Sequence, residues 1–252
     1  MLLEGKRVLI VGASSGVGRA LGVQAAAQGA AVAFAARRLE LVEAAAKEAG
    51  NGAIGIGCDV RDEGSCTAVV EQAAAAFGGI DALVYSTAID RLVRLVDAGA
   101  GLWRDTFETN VFGAALVTTA ALAHLRAAKG RAIYISASSI DRPLPGMGVY
   151  AASKYALETM VKAWQAEHPE LCFANVRIGS ALGTGVTDSW DRELLVELSP
   201  QWQALGYVHD NGPGGPMTVE DAAAAVLAAL TSPVWLRDLT AVSDPGRPNA
   251  TY

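Results

Sequence analysis

Short apolar runs alternate along this chain with longer segments of helical spacing. The run 6–11, Lys-Arg-Val-Leu-Ile-Val, is almost continuously apolar and ends at Gly12, the pattern of a strand buried on both faces of a parallel sheet. Residues 16–28 turn alanine-rich with helical spacing and stop at Gly29. A second apolar run, Ala31–Ala36, is closed by Arg37 and Arg38, and Leu39–Ala49 reads as an amphipathic helix ending at Gly50. Further strands are predicted over 53–57, 82–86, 132–136, 171–178 and 239–242, with helices over 63–77, 102–128, 149–167 and 219–230. Strands alternating with helices of about ten residues or more imply right-handed crossovers. The predicted fold class is therefore α/β: a Rossmann-type, doubly wound, mainly parallel sheet with helices on both faces.

The stretch 183–216 breaks the alternation. It carries Gly-Pro-Gly-Gly-Pro at 212–216 and the large residues Trp190, Trp202 and Tyr207. A long excursion in a compact α/β domain reads as a lid or substrate loop, and its aromatic residues suit an uncharged, fairly apolar small molecule.

Composition narrows the class. With 252 residues, 52% of them apolar and 18% charged, the chain is expected to fold as one domain, 1–252. No apolar run approaches the roughly 20 residues that span a bilayer, and Glu4-Gly5-Lys6-Arg7 leads straight into the first strand, with no basic-then-apolar leader before it. A soluble, cytoplasmic protein without a membrane partner is expected. A net charge of −6 and the lack of any basic block argue against nucleic acid as a partner. Cys58, Cys66 and Cys172 are scattered without metal-ligand spacing, so free thiols and no metal are expected.

The chemistry starts at Gly12-Ala-Ser14-Ser15-Gly16-Val17-Gly18, directly between the first strand and the first helix. Glycine permits the tight turn there and lets phosphates approach the backbone, while the helix behind it offers unpaired N–H groups. The spacing is G-x-x-x-G-x-G rather than the G-x-G-x-x-G of many dinucleotide sites. At the end of the second strand, where an acidic residue meets the adenosine ribose of NAD, stand Arg37 and Arg38; guanidinium groups suit a 2′-phosphate and favour NADP(H) over NAD. In Tyr150-Ala-Ala-Ser-Lys154, the phenol and the ammonium lie one helical turn apart. A cation so placed is expected to lower the phenol's pKa from about 10 and fit it for acid–base work.

These elements resemble the short-chain dehydrogenase/reductase family, over nearly the whole chain. The glycine turn, Asp59-Val60 after the third strand, Asn110 in Glu108-Thr-Asn-Val, and Tyr150-x-x-x-Lys154 occur in the family's order and at its distances. The resemblance implies a homotetramer or homodimer that moves hydride between NADP(H) and a small carbonyl compound or secondary alcohol. It gives Tyr150 the proton, Lys154 the nicotinamide ribose, Asn110 a water linking Lys154 to solvent, and Asp59 and Val60 the adenine.

The chain also departs from the family pattern. Tyr85-Ser86-Thr87-Ala88 stands where Asn-Asn-Ala-Gly is usual. The catalytic serine's place, thirteen positions ahead of Tyr150, holds Ala137, although Gly130 keeps its distance from Tyr150. Ser136 and Ser138 flank the vacancy; Ser138 is the favoured substitute, with Ser139 or a site without serine as alternatives. After the sixth strand, Gly179 would let the backbone approach the nicotinamide, and Thr184 would contact its amide or the pyrophosphate. Two rival readings remain. A dinucleotide-binding protein with little or no catalysis, a sensor or partner subunit, is motivated by Ala137 and the 85–88 segment. A methyltransferase would leave the Tyr150–Lys154 pair and the paired arginines unexplained.

Overall fold

The structure is a computed structural model describing residues 1–185, 187–205 and 216–243. Seven strands are placed: β1 (Arg7–Val11), β2 (Ala31–Ala36), β3 (Ile54–Gly57), β4 (Ala82–Tyr85), β5 (Arg131–Ala137), β6 (Cys172–Ile178) and β7 (Asp238–Ala241). They form one sheet in the order β3-β2-β1-β4-β5-β6-β7, every neighbouring pair parallel. The helices are α1 (Gly16–Ala27), α2 (Leu39–Ala49), α3 (Glu63–Phe77), α4 (Ala100–Phe107), α5 (Gly113–Ala128), α6 (Gly148–Glu167), α7 (Arg192–Ala204) and α8 (Val219–Thr231). The expected doubly wound architecture is present.

Strand alternation builds two cores. Val8 and Ile10 of β1 and Val32 and Phe34 of β2 face a layer made with Leu21, Val42 and Val226, from α1, α2 and α8. Leu9, Val11, Ala33 and Ala35 face the opposite layer with Val69, Val117 and Leu157, from α3, α5 and α6. A strand apolar on both sides therefore has a use for every residue.

The order reverses between β1 and its neighbours β2 and β4, the crevice where open α/β sheets take ligands. Val11 pairs with Ala35 on one side and Tyr85 on the other. The turn at Gly12 and the segment beginning at Ser86 thus leave the sheet side by side, at the carboxyl ends of the strands.

Three expectations need correction. The helix expected over 102–128 is interrupted by a π turn at Glu108–Phe112. The helical stretch Ala100–Ala128, 29 residues long, is also apolar enough by length and composition to cross a membrane, although no single apolar run in the sequence suggests it. Here it is laid on the sheet, with Ala114, Val117, Ala121 and Leu125 fully buried. Finally, 183–216 is not simply a loop, because α7 lies within it. Asp191 caps that helix, accepting from the N–H groups of Glu193 (2.9 Å) and Leu194 (3.1 Å), and Leu194, Leu195, Leu198 and Trp202 pack with Leu92 and Met147. Tyr207 and residues 212–215 lie outside the described residues.

Candidate active site

One cleft of about 1100 Å³ crosses the carboxyl ends of the central strands. At one end lies the glycine turn. Gly12 has φ +93°, and a Cβ there would stand 2.5 Å from the Thr87 nitrogen, so only glycine lets the turn pass under the 86–91 segment. A Cβ on Gly18 would collide with the Gly12 carbonyl oxygen. Gly12, Ser14, Ser15, Gly16 and Val17 line the cleft. Gly18 is not among the lining residues; it seats α1 on the turn. The first turn of α1 carries no acidic side chain, and Ser15 at its cap makes no side-chain bond to it. The helix end is left to an anion. Thr184 lies over the turn, its carbonyl oxygen 2.8 Å from where a Gly16 Cβ would be.

Arginines crowd the rim beyond β2. Arg38 Nη2 donates to Ser14 Oγ (2.8 Å) and Ser15 Oγ (3.3 Å), while Arg37 is exposed beside it. Arg61, a cation the sequence reading missed, lines the same rim and binds Asp59 through Nε (3.3 Å) and Nη2 (3.1 Å). That bond, with a smaller contribution from Arg37, holds the Asp59 carboxyl below its ordinary value. Its place two residues after Asp59, beyond the third strand, was the available signal. Val60 and Asp59 line this end of the cleft too. A turn that only glycine fits, an uncapped helix end and a cationic rim together suit a dinucleotide.

The other end is built from α6, β5 and the segment after β4. Tyr150 and Lys154 both line the cleft. Lys154 is 3% exposed; its Nζ donates to the Ile135 carbonyl (2.7 Å) and lies 5.8 Å from the centre of the Tyr150 ring. Burial brings the Lys154 ammonium down to about 8, against the pull of Asp90 and Glu158. The expected lowering of the Tyr150 pKa is not found. Burial pushes the phenol well above its ordinary value, and the nearby Asp90 charge raises it further. One of the lysine's three N–H donors goes to a backbone carbonyl, and burial disfavours a phenolate more than a cation one turn away favours it.

Asn110 ties two segments of the site together. It is fully buried in the π turn and is not among the residues lining the cleft. Its Oδ1 accepts from the Ile89 N–H (2.7 Å), and its Nδ2 donates to the Ile89 carbonyl (3.0 Å) and to Ser153 Oγ (2.9 Å). Ser153 Oγ in turn donates to the Tyr150 carbonyl (2.7 Å). The carboxamide is consumed in tying the 86–91 segment to α6. Both of its N–H donors are used there, while Oδ1 keeps a second lone pair.

Around the vacancy, β5 runs through Ala137 and a 3₁₀ turn begins at Ser138. Ser136, Ala137, Ser138 and Ser139 all line the cleft. Ser136 Oγ is buried without a partner, whereas Ser138 leaves the strand's alternation because the chain bends there. Gly179 donates its N–H to the Ala241 carbonyl (2.8 Å) and lines the cleft with Thr184. Trp190 and Trp202 close the wall in an edge-to-face pair, centroids 5.9 Å apart.

The sequence reading also missed Asp90. It is 6% exposed and lines the cleft with Tyr150 and Lys154. Burial raises its carboxyl to about 7, although Lys154, the Trp190 indole and Arg91 all favour the anion. The one signal was an acidic residue in the apolar run Thr87-Ala-Ile-Asp90.

The comparisons with known proteins agree with this geometry. The family model for short chain dehydrogenases matches residues 6–191. The cis-1,2-dihydrobenzene-1,2-diol dehydrogenase of Pseudomonas putida is 33% identical over 190 residues, 73% of this chain and 69% of that protein. The 11-beta-hydroxysteroid dehydrogenase A of Sesamum indicum is 35% identical over 171 residues, 66% of this chain; the chain spans 49% of that relative's length. Among solved structures, an alcohol dehydrogenase from Thermococcus sibiricus complexed with 5-hydroxy-NADP superposes with a TM-score of 0.81, at 24% identity and covering 96% of this chain and 98% of that one. The match over most of the chain, on a sheet whose switch point carries the glycine turn at one end of a cleft and Tyr150 with Lys154 at the other, shows that this chain belongs to the short-chain dehydrogenase family of oxidoreductases.

Proposed function

We propose that the chain is an NADP(H)-dependent oxidoreductase acting on the carbonyl group, or the corresponding secondary alcohol, of a small, uncharged and fairly apolar molecule. One observation carries the reading: a single cleft joins the glycine turn and the arginines at one end to a buried Tyr150 and Lys154 at the other. The bound dinucleotide would supply or accept the hydride. The N–H groups at the start of α1 hold its pyrophosphate, and Arg37 and Arg38 its 2′-phosphate. With its pKa raised by burial, Tyr150 carries its proton at neutral pH. It therefore acts most readily as a donor to a carbonyl oxygen, which favours the reductive direction. Lys154 orients the nicotinamide ribose, and Trp190 and Trp202 exclude water from the substrate side.

NADPH binding, followed by fluorescence titration, tests the cofactor half. Arg37→Asp is expected to weaken it at least tenfold while sparing NADH; unchanged affinity overturns the preference for NADPH. Ala137, in place of the usual hydroxyl, favours a second reading, a dinucleotide-binding protein with little turnover. NADPH consumption measured against a broad panel of ketones and aldehydes separates the two, and binding without turnover selects the second.

A further inference from the structure

The task left open at position 137 is hydrogen bonding to the reacting oxygen while negative charge builds on it. Ala137 offers a methyl group, Ser136 Oγ is buried without a partner, and Ser138 and Ser139 line the cleft beyond the bend that ends β5. Asp90 lines the same cleft as Tyr150, close enough for its charge to act on the phenol. We propose that Asp90 serves as a neutral carboxylic acid that donates a hydrogen bond to the substrate oxygen, in place of the hydroxyl missing at Ala137. This rests on the reading of the cleft as a carbonyl-reducing site.

The backbone around Asp90 is held from two sides. Asn110 grips both polar groups of Ile89, and Ser189 Oγ donates to the Asp90 carbonyl (3.1 Å). The carboxyl is therefore positioned by its supports rather than by an ion pair. Its Oδ1 is buried with no hydrogen-bond partner, and Lys154 Nζ is engaged by Ile135. A carboxylate in that setting loses water at Oδ1 without a compensating bond there, whereas the neutral acid loses far less. The titratable or charged groups acting on it are Lys154 and Tyr150 of α6 and Arg91 of its own segment, with the Trp190 indole dipole facing it from before α7. Burial outweighs the pull of Lys154, Arg91 and the indole and leaves it protonated up to about 7. A carboxyl kept neutral by an apolar site is a strong donor to an oxyanion.

The balance of the step is simple. The carbonyl carbon would accept the hydride that a bound dinucleotide supplies, and the C=O π pair would move onto oxygen. The Tyr150 proton is delivered to that oxygen, and the phenolate left behind is reprotonated from solvent. Asp90 keeps its proton throughout and lends only a hydrogen bond.

Two measurements test this. Infrared spectra of protein carrying ¹³C-labelled aspartate, taken without cofactor from about pH 4 to pH 9, should show a protonated-carboxyl band that titrates near 7 and is absent from Asp90→Asn. An Asp90 ionised throughout the range from about pH 5 upward overturns the proposal, whatever the activity. In kinetics with NADPH and benzaldehyde, cyclohexanone or 9,10-phenanthrenequinone as probes, wild-type kcat/KM should fall above about pH 7. Asp90→Asn, still a donor, should stay within several-fold of wild type and lose that pH dependence. Asp90→Ala should lose about 100-fold in kcat with its NADPH affinity unchanged. Wild-type turnover undiminished in Asp90→Ala overturns the inference and leaves the functional reading standing. A wild type that binds NADPH but reduces none of the probes overturns the functional reading itself, and the inference with it.

Discussion

Asp90→Asn removes a titration that folding makes costly, and the cost can be worked from the site. In the folded chain the Asp90 carboxyl holds its proton up to about 7 against an ordinary 3.8, because burial outweighs the cations around it. The folded pKa is thus the higher one. Below 3.8 both states are protonated and the group's contribution to stability is complete. As pH rises from there through about 7, the unfolded chain releases its proton while the folded chain keeps it, and the contribution is lost. A displacement of about 3 pH units at about 1.4 kcal/mol per unit sets an upper bound near 4 kcal/mol. Asparagine has no such titration. Urea unfolding of both proteins at about pH 4 and pH 8 should therefore show wild type losing about 2–4 kcal/mol relative to Asp90→Asn on going to the higher pH. The corresponding window for Lys154 opens at about 8, the upper end of the range used, and runs to 10.5. A stability difference that stays within about 0.5 kcal/mol between the two pH values would show that Asp90 ionises normally in the fold.

Other expectations follow from single contacts. Arg177→Met should cost about 3–5 kcal/mol at neutral pH, because Glu158 is buried and bonded to Arg177 through both oxygens (2.8 and 2.6 Å); adding Glu158→Gln should recover part of the loss in denaturant unfolding. Gly18→Ala drives a methyl group into the Gly12 carbonyl, so about 1–3 kcal/mol of stability should go, together with NADPH affinity in calorimetry, while circular dichroism stays native-like. Tyr150→Phe should bind NADPH as wild type does and lose at least about 100-fold in turnover; retained turnover would remove the phenol from the chemistry.

The strand and helix periods, the parallel sheet and the glycine turn were legible along the chain, because each is written in residues that are neighbours in sequence. An alternation of two, a spacing of three to four, or a glycine between an apolar run and a helix can be recognised without knowing what lies opposite. The helix α7 was legible in the same way, in Asp191 followed by Leu194, Leu195 and Leu198, yet the Gly-Pro-rich stretch after it drew the reading towards a loop. Arg37, Arg38, Tyr150 and Lys154 stood out because their places relative to these elements carry meaning.

What the tertiary structure decided concerns pairs far apart in the chain. Asn110 meets Ile89 and Ser153 across the π turn, so its amide clamps the 86–91 segment to α6. Lys154 finds the Ile135 carbonyl, and the closed walls keep Tyr150 protonated. Asp90 is an ordinary acid in the sequence, and its carboxyl is raised to about 7 only because the fold shuts water away from it. The sequence by itself determined the local periods and therefore the scaffold and its cofactor turn. Desolvation and charge at the reacting end depend on everything within several ångströms, and only the folded chain assembles that neighbourhood.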